Sequence, residues 1–237
     1  DLGITRVSLG IQSFSDRVLK TLGREHSREQ AIESVRLLKE VGIPEVNIDL
    51  MFAVPGQPLE EWIDTLETAV SLTPDHISSY NLTYEEDTEF IDKLTEGEYC
   101  EDEELNARYF EVSDEILTAA GFHHYETSNF AQSGKQSRHN QSYWHGADYI
   151  GIGPSAVGTI DRERYKNIAD TDKYISMIQH VGHAQTELEK LSPDEFRIER
   201  IALLLRTTAG LPKEWLGESD PSQLQLHGPK PAVAFQS

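Results

Sequence analysis

The sequence is poor in cysteine and in positive charge. Cys100 is its only cysteine, which rules out a disulfide framework, and one thiolate cannot hold an iron–sulfur cluster or a structural zinc. Lysine and arginine total 21 against 41 aspartates and glutamates, a formal net charge of −20. Because phosphates are neutralised by clustered basic side chains, this balance argues against nucleic acid or anionic lipid as a main partner.

The sequence also lacks targeting signals and long apolar runs. No run approaches the roughly 20 apolar residues of a membrane-spanning helix, and the cysteine content fits a reducing compartment, so we expect a cytoplasmic protein without a transmembrane segment. The first residues, DLGITRVSLG, contain no initiator methionine and no signal-peptide core. The last residues, LHGPKPAVAFQS, show no periodicity. We expect both ends to be truncations.

Strand and helix patterns alternate in the first part of the chain. The predicted strands are 4–11, 46–52 and 77–83, and the predicted helices are 15–22, 27–41 and 59–72. Ser27 and Gln30 form a capping box at the start of the second helix, which Gly42 and Pro44 end. This alternation implies right-handed parallel crossovers, and therefore a barrel or a doubly wound sheet.

Strand parity predicts a polar face on this sheet. In the second strand Val46, Ile48 and Leu50 share one face, and Asn47, Asp49 and Met51 share the other. Layers of branched apolar residues fill the core of a closed barrel, whereas a polar interior suits a bound polar ligand. The alternative is that Asp49 and Gln12 satisfy one another or a loop backbone.

The second part of the chain has a different character. An acidic amphipathic helix is predicted at 101–120. An aromatic, histidine-bearing stretch at 123–158 favours strands and loops because it is rich in Gly, Ser and Asn. Helices are predicted again at 171–181 and 193–209, the latter starting at Ser192-Pro193. No internal repeat or obvious linker is present.

Three motifs occur in a distinctive order. They are GIQSF at 10–14 with LGR at 22–24, NIDLMFAVPGQ at 47–57, and RHNQSYW at 138–144 with DYIGIGPSA at 148–156. Together they resemble the radical S-adenosylmethionine (SAM) proteins related to oxygen-independent coproporphyrinogen III oxidase, and more nearly the HemW-type heme chaperones. The resemblance runs from residue 2 to about 160, and more loosely to about 216.

The resemblance implies an α/β fold, the rear part of a partial TIM-like (β/α) barrel followed by an α+β domain. The organisation expected from it is barrel strands and helices at 1–95, a family domain at 96–190, and the start of a helical, winged-helix-like region at 191–237. The family's barrel begins with a Cys-x3-Cys-x2-Cys loop that holds a [4Fe–4S] cluster, whose open iron binds SAM. None of those cysteines is present here, and Cys100 lies too far downstream to replace one.

The resemblance also suggests SAM contacts. Gln12, Arg24 and Asp49 match positions at which the related oxidase contacts SAM, and Tyr80 lies where an aromatic flanks adenine. A carboxylate accepts both ribose hydroxyls, and a guanidinium pairs with the methionine carboxylate. The structural alternatives are a surface role for Arg24 and a core role for Tyr80.

The segment His139-Asn140-x-x-Tyr143-Trp144 matches the motif of the family's heme-binding members. It implies that His139 ligates heme iron and that Asn140, Tyr143 and Trp144 complete the heme site. The alternative is that His139 orders a loop through its two ring nitrogens, with Tyr143 and Trp144 as core residues. The other histidines are interpreted as structural or solvated. The chain departs from the family at Val157, where many members have a second histidine.

The function implied by the resemblance is a heme chaperone that delivers heme to apo-hemoproteins, with a homodimer as a further candidate. A coproporphyrinogen oxidase is the alternative, so enzymatic activity stays open. A third hypothesis is a non-radical TIM-barrel lyase or aldolase, which needs a Schiff-base lysine or a metal–carboxylate cluster at strand ends. The three predicted strands contain no lysine, which counts against the Schiff-base version. Without the cluster loop, this chain alone is expected to be inactive in SAM cleavage.

Overall fold

The computed structural model describes residues 3–83, 102–212 and 215. The chain divides into two compact units: Asp1–Trp144 with Arg206–Thr208, and His145–Leu205 with Ala209–Ser237. This division by contacts differs from the organisation expected from sequence, at 1–95, 96–190 and 191–237, which stays a prediction. Cys100 and nearly all of the C-terminal tail lie outside the described residues.

A mixed five-stranded sheet forms the centre of the first unit. Its strands are β1 (Arg6–Gln12), β2 (Glu45–Phe52), β3 (His76–Asn81), β4 (His123–Glu126) and β5 (Asn129–Ala131), in the order β1-β2-β3-β5-β4. The first three strands are parallel, and β5 runs antiparallel to both β3 and β4. The predicted parallel strand–helix alternation is therefore confirmed for the first 81 residues.

The helices that the described residues of this unit form are α1 (Asp16–Thr21), α2 (Arg28–Glu40), α3 (Leu59–Ser71), α4 (Glu103–Ala119) and α5 (Arg138–Trp144). The predicted capping box starts α2. Gln30 N donates to Ser27 Oγ at 3.3 Å, and Ser27 N donates to Gln30 Oε1 at 2.9 Å. Asp102 caps α4 by accepting from Leu105 N at 2.9 Å. These caps satisfy backbone N–H groups that have no partner within their own helix.

One face of the sheet and its covering helices form the hydrophobic core. Ile48 and Leu50 on β2 are fully buried, as is Trp62 on α3. The indole N–H of Trp62 donates to Ser113 Oγ on α4 at 3.0 Å, so this buried polar group is satisfied. Burial of each such large apolar side chain contributes about 1.5–3 kcal/mol. The apolar parity predicted for β2 therefore corresponds to the core face.

The second unit has a three-stranded antiparallel sheet. Its strands are β6 (Val157–Ile160), β7 (Glu163–Asn167) and β8 (Gln185–Lys190), and its helices are α6 (Thr171–Val181) and α7 (Pro193–Leu204). The predicted start of α7 is confirmed, with a capping box between Ser192 and Glu195 and proline in the first turn. The buried apolar residues among those described in this unit are Tyr165, Ala184, Leu191 and Leu204.

Two predictions from the sequence are wrong. Residues 138–144 were expected among strands and loops, but they form α5. Their His, Asn, Ser, Tyr and Trp side chains have modest helix propensity, and Ser137 offsets this by accepting from Asn140 N at 3.3 Å. The last helix ends at Leu204 rather than at 209, because Arg206 O accepts from Thr127 N in the turn after β4 and Thr208 N donates to Tyr125 O on β4.

Among the described residues, no helix has the length and apolar character needed to cross a membrane.

Candidate functional site

Hydrogen bonds connect the polar side chains of the sheet at Asn47. Its Nδ2 donates to Ser8 Oγ and to Asp49 Oδ1, each at 2.8 Å. Its Oδ1 lies 2.6 Å from Nδ1 of His76 on β3. The other ring nitrogen of His76 lies 2.7 Å from the hydroxyl of Tyr125 on β4. The predicted polar face thus contains a continuous hydrogen-bond network that links four strands, β1 to β4.

The donors and acceptors in this network follow from one another. Because Asn47 donates through Nδ2, its Oδ1 accepts the proton on His76 Nδ1. His76 Nε2 then accepts from the Tyr125 hydroxyl, whose oxygen accepts from Ser137 N at 3.2 Å. Burial, with a smaller contribution from the charge of Arg6, lowers the pKa of His76 to about 3. His76 is therefore neutral and structural.

Three of the four residues predicted to contact SAM lie in the carboxyl-terminal halves of adjacent parallel strands. Gln12 ends β1 after a register shift and has a positive φ of 68°, Asp49 lies on β2, and Tyr80 lies on β3. The Gln12 amide folds back over Gly10, where a Cβ would lie 3.0 Å from Gln12 Nε2. A larger residue at position 10 would therefore crowd this amide.

Asp49, Gln12 and Tyr80 differ in their hydrogen bonds and in the charges around them. Asp49 accepts from Asn47 through Oδ1, and within the described part of the chain its Oδ2 and the Gln12 side chain have no hydrogen-bond partner. Burial raises the pKa of Tyr80, and the charges of Asp49 and Glu126 raise it further. The alternative in which Asp49 and Gln12 satisfy one another is therefore not the arrangement in this structure.

Arg24 lies apart from these side chains. It follows α1 in an exposed turn, with its backbone N–H donating to Leu19 O at 2.9 Å. In residues 3–83 and 102–212 its guanidinium has no ion pair or side-chain hydrogen bond. A ligand that spans from Asp49 to Arg24 would bring them into one site. The SAM assignments of all four residues stay predictions.

Glu126 and Asn129 are buried polar residues that sequence reasoning missed. Asn129 Nδ2 donates to Glu126 Oε1, while Glu126 Oε2 and Asn129 Oδ1 have no partner in the part of the chain that the structure describes. The two residues flank the turn between β4 and β5. Their only signal in the sequence was a polar interruption, Glu-Thr-Ser-Asn, between Tyr125 and Phe130.

Helix α5 presents the predicted heme residues. His139 is exposed, and its ring meets that of Tyr143 edge-to-face at a centroid distance of 4.9 Å. Neither ring nitrogen of His139 has a hydrogen bond within the described residues, so the histidine does not order a loop there. Trp144 is half-buried, and the Arg206 guanidinium lies 4.8 Å from the centre of its indole ring.

Comparisons with known proteins identify the family and the relatives of this chain. The family model described as "Radical SAM superfamily" matches residues 1–69. The heme chaperone HemW of Bacillus subtilis is 34% identical over 219 residues, which are 92% of this chain and 58% of that protein. The chain belongs to the radical SAM superfamily.

A second relative and a solved structure are also similar to this radical SAM protein. The heme chaperone HemW of Mycobacterium tuberculosis is 35% identical over 219 residues, or 92% of this chain and 56% of that protein. The solved structure of Escherichia coli coproporphyrinogen III oxidase HemN covers 87% of this chain and 50% of its own, with a TM-score of 0.71 at 21% identity. That likeness confirms the predicted α/β radical SAM fold. The chain spans about half the length of the relatives it matches.

The superfamily implies a [4Fe–4S] cluster with SAM. The residues of this chain suit SAM but not the cluster. The sequence holds one cysteine, and the described residues contain no group of three or more metal-ligating side chains. This radical SAM chain therefore does not supply the ligands of a cluster. For SAM, the free Oδ2 of Asp49 and the amide of Gln12 suit ribose hydroxyls. For heme, one exposed imidazole is a sufficient axial ligand.

Proposed function

We propose that the protein containing this chain is a HemW-type heme chaperone, which binds heme and delivers it to apo-hemoproteins. The observation that carries the proposal is the state of His139. Its imidazole is exposed on a short helix, neither of its nitrogens is used in a hydrogen bond within the described residues, and an aromatic ring lies against it. The similarity to two HemW proteins at 34–35% identity supports it.

Each residue of the motif has a role in this proposal. A neutral imidazole nitrogen of His139 donates its lone pair to the heme iron. Tyr143 and Trp144 offer aromatic faces for the apolar macrocycle. Asn140 holds the first turn of α5, since its backbone N–H donates to Ser137 Oγ at 3.3 Å. An exposed ligand suits a carrier, because a recipient protein has to reach the iron to take the heme.

We further propose that Gln12, Arg24, Asp49 and Tyr80 contact SAM. When bound in a radical SAM enzyme, the cluster supplies the electron that cleaves SAM. In this chain, Asp49 would accept hydrogen bonds from the ribose, Arg24 would pair with the methionine carboxylate, and Tyr80 would flank the adenine. The cluster ligands would come from a part of the protein outside these 237 residues, which by themselves would not cleave SAM.

The second candidate function is oxygen-independent coproporphyrinogen III oxidase. The similarity to HemN is a likeness of fold at 21% identity and does not favour that activity. The histidine motif on α5 favours the chaperone, because it supplies an iron ligand that a metal-free porphyrinogen does not need. A cytoplasmic location and a homodimer are also proposed.

Equilibrium binding of hemin tests this proposal. We expect the chain to bind hemin with a shifted Soret band, His139→Ala to abolish that shift, and His183→Ala, which removes an exposed histidine of the second unit, to leave it unchanged. The full-length protein with a reconstituted cluster should form no protoporphyrinogen IX from coproporphyrinogen III. Rapid turnover of coproporphyrinogen, or hemin binding that is indifferent to His139→Ala, would overturn the proposal.

A further inference from the structure

The hairpin of β4 and β5 contacts both ends of the candidate heme helix α5. On β4, the hydroxyl of buried Tyr125 accepts from the backbone N–H of Ser137, directly before α5, at 3.2 Å. In the turn of the hairpin, Thr127 N and Oγ1 donate to Arg206 O at 2.9 and 3.1 Å. The Arg206 guanidinium lies 4.8 Å from the ring centre of Trp144, the last residue of α5. The hairpin thus holds the start of the helix directly and its end through Arg206.

Helix α5 buries no side chain that could fix its position. None of the seven residues described for it, Arg138–Trp144, is buried. A helix this short is marginal in water unless tertiary contacts stabilise it. Ser137 begins the helix, because its carbonyl accepts from Gln141 N at 2.9 Å and its Oγ accepts from Asn140 N at 3.3 Å. The position of Ser137 therefore sets the position of the first turn, which contains His139.

The Tyr125 hydroxyl is itself fixed by the polar network of the sheet. It donates to His76 Nε2 at 2.7 Å, and the other ring nitrogen of His76 donates to Asn47 Oδ1 at 2.6 Å. Burial raises the pKa of Tyr125 to about 12, so the hydroxyl keeps the proton that it donates. A hydroxyl that donates to one fixed partner directs its lone pairs elsewhere, here towards Ser137 N. The hydroxyl is therefore an anchor of defined direction.

We propose that Tyr125 and Arg206 are positioning residues for heme binding, which hold α5 where His139 ligates the iron. This inference rests on the proposed heme binding, and neither residue is required to touch the heme. When an anchor is removed, α5 leaves this position for part of the time, and the apparent affinity for heme falls with the fraction of competent molecules. The iron ligand in the bound state stays the same, so the spectrum of the saturated complex does not change.

The test titrates hemin into the wild-type chain, Tyr125→Phe and Arg206→Gln. Tyr125→Phe keeps the ring and removes only the hydroxyl. Arg206→Gln changes an exposed side chain, so it decides the test if Tyr125→Phe does not fold. As matched controls, Tyr165→Phe removes a buried hydroxyl that accepts from Gly151 N at 3.0 Å in the second unit, and Arg36→Gln removes an exposed arginine of α2. Hydrogen exchange of the α5 amides without hemin reports on the helix independently.

We expect Tyr125→Phe to weaken hemin binding about fivefold and Arg206→Gln about threefold. Both variants should speed hydrogen exchange of the α5 amides, and bound hemin should restore their protection. The Soret position at saturation should match that of the wild type. Tyr165→Phe and Arg36→Gln should bind hemin as the wild type does, even where Tyr165→Phe lowers the stability of the fold.

The outcomes separate this inference from the proposed function. Hemin binding that depends on His139 but is equally tight in the wild type, Tyr125→Phe and Arg206→Gln overturns the positioning role and leaves the heme chaperone intact. A loss of affinity that Tyr165→Phe reproduces also overturns it, because the effect would then follow stability and not the position of α5. Absence of saturable hemin binding in the wild type overturns the proposed function, and this inference with it.

Discussion

At the scale of single residues, two histidines of the first unit show how the same side chain takes different roles. His76 is fully buried, and both of its nitrogens are hydrogen-bonded, to Asn47 and Tyr125. His139 is exposed, and its nitrogens are unused within the described residues. Burial and saturated hydrogen bonding fix the first as a neutral structural group, while exposure leaves the second available to a metal.

The environment of His76 predicts a pH dependence of stability. An unfolded histidine binds a proton below pH 6.5, whereas folded His76 stays neutral down to about pH 3. The unfolded state therefore binds more protons between these values, and stability falls as the pH falls through that window. Between pH 7.5 and pH 5 the free energy of unfolding should drop by about 2 kcal/mol because of this residue.

Urea unfolding at the two pH values measures this effect. His76→Gln should be less stable at pH 7.5 but should lack this part of the loss at pH 5. His183→Gln, at an exposed position, should behave as the wild type does. An equal loss in His76→Gln and wild type would show that His76 is not the group that carries the dependence.

At the scale of elements, the sequence predicted where capped helices begin. It did not predict the short, aromatic helix α5. The capping boxes at Ser27 and Ser192 were visible because an N-cap and its third helical residue are local in sequence. Helix α5 was missed because its seven residues have modest helix propensity and depend on a hydrogen bond to Ser137. Strand β8 was missed because its polar residues carry no strong strand signal.

The capping box of α2 predicts that alanine substitution at two half-buried serines, Ser27 and Ser34, changes stability by different amounts. Ser27→Ala should lower the free energy of unfolding by about 1 kcal/mol, because it removes the acceptor of the Gln30 N–H. Ser34→Ala is the matched control within the same helix, where its hydroxyl donates only to Gln30 O. Alanine favours helix, so this control should be neutral or slightly stabilising.

Chemical denaturation of the two variants decides the question. Equal stabilities of Ser27→Ala and Ser34→Ala would mean that the cap hydrogen bonds add nothing to the fold.

At the scale of the whole molecule, the two units differ in how much apolar surface they bury. The first has a continuous core around Ile48, Leu50 and Trp62. The second buries few large apolar side chains among its described residues and exposes others, including Ile152 at 83% and Leu188 at 72%. Since apolar burial is the dominant favourable contribution to folding, we expect the second unit to be less stable.

Hydrogen exchange tests this difference. Amides of β2 and β3 should exchange on the order of 100-fold more slowly than amides of β7 and β8, because opening the smaller core costs less free energy. Similar protection in both sets of strands would show that the small core of the second unit does not limit its stability.

Much of the first unit was predictable from sequence. The three parallel strands and the apolar parity of β2 followed from periodicity, and the polar parity of Asn47 and Asp49 indicated a polar face. Periodicity did not reveal the partners of that face. The link from Asn47 to His76 and Tyr125 joins three strands, and Arg206 reaches Trp144 from 62 positions further along the chain. Such contacts depend on the tertiary fold, which no local pattern encodes.

The central claim is that His139 is the iron ligand of a heme-carrying site on α5. It is tested most directly by titrating hemin into His139→Gly in the absence and presence of imidazole. We predict that the variant loses the Soret spectrum of histidine-ligated heme, and that added imidazole restores that spectrum and much of the affinity by occupying the vacated position. Wild-type hemin spectra and affinity in His139→Gly without imidazole would contradict the claim.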